Sequence, residues 1–202
     1  MPGGRGFVRI VAGSLRGRRI PVPTDAGYRP TSDRAREGLF NILGQSLDGL
    51  RVVDAYAGSG ALGLEALSRG AAHALFLERD PERAATLEAL CASFGLGARS
   101  TVRIGRVLDW VRAGSDAPVD LILADPPYDS GEARALLKRV GQGALGGRLD
   151  ADGTLVIERE SGPPIDPRVR GLFGEPRIVR YGTNSFEIFT FCRSAEAPTE
   201  GG

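Results

Sequence analysis

From residue 51 onward, short apolar runs alternate with helical stretches, and few folds can bury a chain with that rhythm. Runs at 52–56, 74–77, 101–104 and 119–124 each precede a helical segment, at 61–68, 81–94, 107–112 and 132–140. Pro81 stands at a first-turn position of its helix. Val119-Asp120-Leu121-Ile122-Leu123-Ala124 is almost wholly apolar, as a strand covered on both faces requires. A strand at 153–159 and a terminal pair at 177–181 and 186–192, joined by the turn residues Thr183-Asn184-Ser185, complete the pattern. Repeated βαβ units predict an α/β protein with a doubly wound, mostly parallel, seven-stranded sheet of Rossmann-like type. Such sheets hold ligands beyond the carboxyl ends of strands where the winding reverses, here after the first and fourth strands.

Ahead of this body, residues 7–23 read as a β-hairpin, with strands at 7–11 and 18–22 around Gly13-Ser14-Leu15-Arg16-Gly17. An amphipathic helix is expected at 32–43, with Ala35, Leu39, Ile42 and Leu43 on one face and Thr31 or Ser32 as N-cap. The chain divides into a basic hairpin-and-helix extension at 1–45, a sheet body at 46–193 and a disordered tail at 194–202. Residues 1–40 hold eight arginines against three acids, although the net charge of the whole chain is only +1. Such an asymmetry suits a polyanion, and the competing reading is a solvated extension. Clustering carries the argument, because arginine supplies every basic residue except Lys138.

Several classes are excluded. With 202 residues, 42% hydrophobic and 25% charged, the chain supports one core rather than wholesale disorder. No run approaches the ~20 apolar residues of a membrane span, and the first residues lack an apolar signal core. A cytoplasmic protein without a membrane partner is expected. Cys91 and Cys192 lack a partner spacing and His73 is the lone histidine, so neither a disulfide scaffold nor a metal site is expected.

The first strand runs into Asp54-Ala55-Tyr56-Ala57-Gly58-Ser59-Gly60-Ala61-Leu62-Gly63, a G-x-G-x-x-G between strand and helix. Glycines let backbone approach a ligand closely, and a helix N-terminus favours an anionic group. A tight turn without a ligand is the bland alternative. Glu78 closes the second strand, 18 residues after Gly60, where an acid accepts hydrogen bonds from ribose hydroxyls; it could equally be an exposed acid at a helix entry. This motif fits a nicotinamide dinucleotide or S-adenosylmethionine. Asp54 tilts the choice to the second, because a carboxylate repels a pyrophosphate and attracts the ammonium of a methionine moiety.

Asp125-Pro126-Pro127-Tyr128 follows the fourth strand directly. Two prolines cannot extend a central strand, so they make a stiff exit loop. It gathers the Asp125 carboxylate, the Pro126 carbonyl and the Tyr128 ring. That set suits a planar base with an exocyclic amine: the ring stacks, and two oxygens accept the two N–H bonds and aim the nitrogen lone pair. The alternative is a structural Pro-Pro turn with Asp125 as a local cap.

The glycine loop, Glu78 and Asp125-Pro126-Pro127-Tyr128 together resemble class I S-adenosylmethionine-dependent amino methyltransferases. Arg9-Ile10-Val11-Ala12-Gly13-Ser14-Leu15-Arg16-Gly17-Arg18, the segment 29–43 from Arg29-Pro30-Thr31-Ser32-Asp33-Arg34, and the run 57–70 are further similar to the RsmD family. That family methylates guanine N2 in 16S rRNA of the small ribosomal subunit, at position 966 in the usual rRNA numbering. The likeness spans about residues 9–192. It implies that Asp54, Ala57, Gly58, Gly60, Glu78, Arg79 and Val107 bind S-adenosyl-L-methionine, and that Asp125, Pro126 and Tyr128 are catalytic. Arg106 departs from the acidic or amide residue that many class I enzymes turn to the adenine amine, which leaves the Val107 backbone or Asp109 for that contact. The resemblance also gives Arg16, Arg18, Arg19, Arg29, Arg34 and Arg36 a use, as phosphate contacts that present a splayed base. Arg34 and Arg36 could instead pair with Asp33 and Glu37 along their helix. The implied partner is 16S rRNA, in the subunit or an assembly intermediate, on a monomeric chain. An adenine-N6 DNA or RNA methyltransferase, a NAD-dependent oxidoreductase and a non-catalytic RNA-binding protein are the alternatives.

Overall fold

A computed structural model of the chain describes residues 5–23, 32–113, 117–127, 130–145, 147–159, 167–181 and 184–191. The chain begins β1 (Arg5–Arg9), β2 (Arg19–Pro23), α1 (Asp33–Leu43), β3 (Arg51–Ala55), α2 (Ala61–Ser68), β4 (His73–Glu78) and α3 (Pro81–Ser93). It continues β5 (Ser100–Ile104), α4 (Val107–Ala113), β6 (Val119–Ala124), α5 (Glu132–Gly141), β7 (Leu149–Glu158), α6 (Pro167–Phe173), β8 (Arg177–Tyr181) and β9 (Asn184–Thr190). β1 and β2 form an antiparallel ribbon; the other seven strands form one sheet in the order β5-β4-β3-β6-β7-β9-β8, with β9 alone reversed. The expected α/β, mostly parallel sheet is present.

Local chemistry explains the element ends. Ser32 settles the N-cap of α1, its hydroxyl accepting from the Ala35 N–H at 3.2 Å. Asp80 caps α3 by accepting from Glu82 and Arg83, with Pro81 pre-set in the first turn. Two elements depart from the sequence pattern. β7 starts at Leu149 rather than 153, through a register irregularity opposite Val119 that lets the polar Asp150 and Asp152 sit in a strand. α6 was not expected; two buried side chains, Val169 and Phe173, hold its seven residues. Arg29, Tyr128, Cys192, the centre of the last turn and the 194–202 tail lie outside the described residues.

Each face of the sheet carries its own core. β1, β2, α1, α2 and α3 share one apolar cluster, in which Val8, Ile10, Ile20 and Val22 of the hairpin meet Leu39 and Phe40 of α1 and Leu64 and Leu67 of α2. α4, α5 and α6 cover the other face. The hairpin is therefore built into the body's core rather than tethered to it. Winding reverses between β3 and β6, where Val52 to Ala55 register with Leu121 to Ala124. No helix among the described residues is long and apolar enough to cross a membrane.

Candidate active site at the carboxyl edge of the sheet

The glycine loop leaves β3 through Tyr56 and turns into α2 with Gly58 at φ 53° and Gly60 at φ 77°, left-handed values that a side chain disfavours. Three of its own amides are spent within the loop or on β4. Ala57 donates to the Leu77 carbonyl at 2.9 Å, Gly60 to the Ala57 carbonyl at 2.7 Å, and Gly58 to Glu78 Oε2 at 2.8 Å. Ala57, Gly58 and Gly60 thus shape the turn, and Ala61 and Leu62, the first two residues of α2, carry N–H groups that precede any intrahelical acceptor. Gly63 serves packing: a Cβ there would lie 2.3 Å from the Phe76 ring.

Two acids are built into this turn. Asp54 is 1% exposed and accepts from the Gly63 N–H at 2.8 Å, so it ties β3 to the first turn of α2. Burial, then the negative charges of Asp125 and Glu78, push its pKa well above the ordinary carboxylate range. Glu78 is buried at the end of β4 and accepts from Gly58 through one oxygen and from the Asp80 N–H, at 2.9 Å, through the other. It is not the exposed helix-entry acid of the alternative reading. Arg79 follows on the surface, and Val107, buried, opens α4.

Asp125 leaves β6 beside the end of β3, its N–H directed at the Ala55 carbonyl at 3.4 Å. Its charge acts on Asp54, so the acids after β3, β4 and β6 share one end of the sheet. Pro126 is buried and Pro127 exposed; the Pro127 carbonyl accepts from Ser130.

These residues fit S-adenosylmethionine. A carboxylate suits the start of α2, a cation suits the buried charge of Asp54, and ribose hydroxyls can use the second lone pairs on the Glu78 oxygens. Arg106 turns to Glu132 Oε1 at 3.5 Å, and Asp109 pairs with Arg112 at 2.8 Å.

The basic residues separate. Arg16, Arg18, Arg19 and Arg34 are exposed. Arg36 is not: it is 0% exposed, ion-paired with Asp33 at 2.7 Å, and donates to the Arg9 carbonyl. The expectation that it touches RNA is corrected, because its guanidinium binds the hairpin to α1. The turn bearing Arg16 is docked on the C-terminal end of α2, where Ser14 and Leu15 donate to the Ser68 carbonyl and hydroxyl at 2.8 and 2.9 Å.

Two contributors, Tyr56 and Glu65, escaped the sequence reading. Tyr56, itself at φ 68°, donates to Glu132 Oε2 at 3.2 Å, linking the glycine loop to the helix after the Asp125 loop. Burial and the Glu132 charge push the Tyr56 hydroxyl's pKa upward. Glu65, 0% exposed, accepts from the Val11 and Ala12 N–H groups at 2.7 and 3.0 Å and from Arg69 at 2.9 Å. No local pattern marks partners 54 or 76 positions away.

Fold and site together are those of a class I methyltransferase. The family model described as Conserved hypothetical protein 95 matches residues 8–190, and the chain belongs to that family, the RsmD family anticipated from its motifs. The chain is 32% identical over 184 residues to Bacillus subtilis YlbH, which carries an rRNA methyltransferase name, covering 90% of this chain and 98% of that one. It is 41% identical over 128 residues to the Escherichia coli ribosomal RNA small subunit methyltransferase D, covering 63% of this chain and 64% of that enzyme, just under two thirds. The solved structure of Escherichia coli yhhF superimposes with a TM-score of 0.76 at 30% identity, over 93% of this chain and 99% of that one. A T. thermophilus 16S rRNA N2 G1207 methyltransferase (RsmC), solved with AdoMet and guanosine, shares the fold at 20% identity and a TM-score of 0.70, over 93% of this chain and 50% of that one.

Proposed function

We propose that this chain transfers a methyl group from S-adenosylmethionine to the exocyclic N2 amine of a guanine in 16S rRNA of the small ribosomal subunit. The observation that carries the reading is the meeting of Asp54, Glu78 and Asp125, from the ends of three neighbouring strands, at the switch point of the sheet. The small-subunit rRNA methyltransferase name of a relative at 41% identity supports rRNA as the polymer. When bound, the cofactor supplies an electrophilic methyl carbon on a cationic sulfur. Asp125 and the Pro126 carbonyl accept the two amine N–H bonds, which fixes the nitrogen lone pair along one line. The Asp125 charge then stabilises the positive charge that grows on that nitrogen, which sheds one of its two protons during or after transfer. Tyr128 stacks on the base. The exposed arginines Arg16, Arg18, Arg19 and Arg34, together with Arg29, hold phosphates.

The test supplies radiolabelled methyl donor with small ribosomal subunits, 16S rRNA or duplex DNA. Label in a guanine of the rRNA is expected. Asp125→Ala lowers turnover about 10²–10³-fold and leaves S-adenosylhomocysteine affinity unchanged. Label in DNA adenine, protection from unfolding by NADH instead of S-adenosylhomocysteine, or an active Asp125→Ala variant would each overturn the proposal.

A further inference from the structure

The hairpin presents a face of which the proposed function uses only the charge of Arg19. Alternate residues of β1 and β2 are buried, namely Val8, Ile20 and Val22, which turns Phe7, Arg9, Arg19 and Pro21 outward. Phe7 stands opposite Pro21, and Arg9 directly opposite Arg19. Two like charges facing each other across a ribbon disfavour it, and among the described residues no carboxylate pairs with either guanidinium. Both instead lie against the Phe7 ring, Arg19 at 4.3 Å from the centroid and Arg9 at 5.7 Å. If these contacts served only to shield the ring, it would be covered; Phe7 remains 46% exposed.

We infer that Phe7, Arg9 and Arg19 form a stacking platform for an unpaired nucleotide of the RNA substrate. An open aromatic ring flanked by two unneutralised guanidiniums matches the π-face and the phosphates of one flexible nucleotide. A lipid surface would need a broader apolar face than one phenylalanine and one proline provide.

The position agrees. The hairpin turn is tied to Ser68, at the end of α2 remote from the glycine loop. Arg9 is tied instead to the start of α1, through its N–H to Asp33 and its carbonyl to Arg36. Between that turn and Arg9, the Val11 and Ala12 amides are held by Glu65, about one helical turn nearer the glycine loop than Ser68. β1 therefore carries Phe7 toward the edge that holds Asp125, and the platform would seat a nucleotide near the one that enters the site.

This inference rests on the rRNA reading, and its test separates the two. Fluorescence anisotropy is read with an unstructured single-stranded RNA and with duplex RNA of equal length, alongside methyl transfer to small subunits. Phe7→Ala and Phe7→Leu weaken single-strand binding about 5- to 100-fold with the salt slope unchanged, and Phe7→Trp restores it. Arg9→Gln with Arg19→Gln flattens the salt slope by roughly 1.4. S-adenosylhomocysteine affinity and thermal midpoint stay at wild-type values in the Phe7 variants. Wild-type RNA affinity in Phe7→Leu overturns the platform while leaving the methyltransferase reading intact. A wild-type chain that neither binds nor methylates RNA overturns both.

Discussion

Removal of the Glu65 carboxylate tests whether the hairpin is held by one buried acid. Glu65 and Arg69 have side chains 0% and 2% exposed and meet at 2.9 Å. The same carboxylate accepts from two successive hairpin amides, Val11 and Ala12. In Glu65→Ala the Arg69 guanidinium stays buried without its acid, a loss of about 3–5 kcal/mol for broken pairs of this type. The two amides do not add their full cost, because a hairpin that lifts regains water for them. At 2–4 °C per kcal/mol for a chain of this size, the thermal midpoint falls by roughly 6–20 °C. Amide exchange read by NMR localises the effect: Val11 and Ala12 lose protection while the β6 amides keep it. Glu65→Ala with Arg69→Ala together costs less than the sum of the single changes, by about 1–3 kcal/mol, since no charge is then orphaned. A midpoint drop under about 2 °C with Val11 and Ala12 still protected, against that expected shift, would refute the reasoning.

Other perturbations address the cofactor end. Asp54→Asn keeps an acceptor for Gly63 but removes a desolvated charge repelled by Asp125 and Glu78. Because the folded pKa is raised, stability is lost as pH rises from the ordinary value of 3.8 toward the folded one. The variant therefore melts higher than wild type at neutral pH, matches it near pH 3 (about the lower limit for carboxylate ionisation), and binds S-adenosylmethionine more weakly by calorimetry. Gly63→Ala brings a methyl group to within 2.3 Å of Phe76; denaturant melts should show a net loss of about 1–2 kcal/mol after the gain in helix propensity. Glu78→Ala removes the acceptor for Gly58 and Asp80, so S-adenosylhomocysteine affinity falls at least about tenfold, the equivalent of one lost charged hydrogen bond, with RNA affinity unchanged. Tyr56→Phe cuts the link to Glu132 and lowers kcat rather than cofactor affinity if that link positions the Asp125 loop.

What the sequence made legible was local chemistry. Gly58 and Gly60 need left-handed backbone, two prolines must end a strand, and the apolar run of β6 can only sit between layers. Each is readable within a few residues, and together they located the switch point. Arg36 was misread because a helical arginine in a basic stretch resembles a surface charge. Its near partner Asp33 lies three residues away and was legible, but the Arg9 carbonyl that buries it arrives only when the hairpin docks. Glu65 was hidden for the same reason: α2 is buried on all sides, and the amides that satisfy its one acid come from residues 11 and 12. The early start of β7 escaped because Asp150, Asp152 and Gly153 carry no strand propensity; pairing with β6 overrides it.

Asp54 and Glu78, the two acids proposed to meet the cofactor, are held in different ways. Glu78 spends a lone pair of each oxygen on a backbone N–H, and Asp54 spends one on α2, so neither must reorganise to meet a ligand. That preorganisation leaves in place the repulsion that Asp125 and Glu78 exert on Asp54. A cation beside Asp54 offsets that repulsion, whereas a pyrophosphate would add to it. On the proposed placement of the cofactor, the arrangement that makes the Asp54 charge costly therefore favours a sulfonium cofactor carrying an ammonium over a nicotinamide dinucleotide.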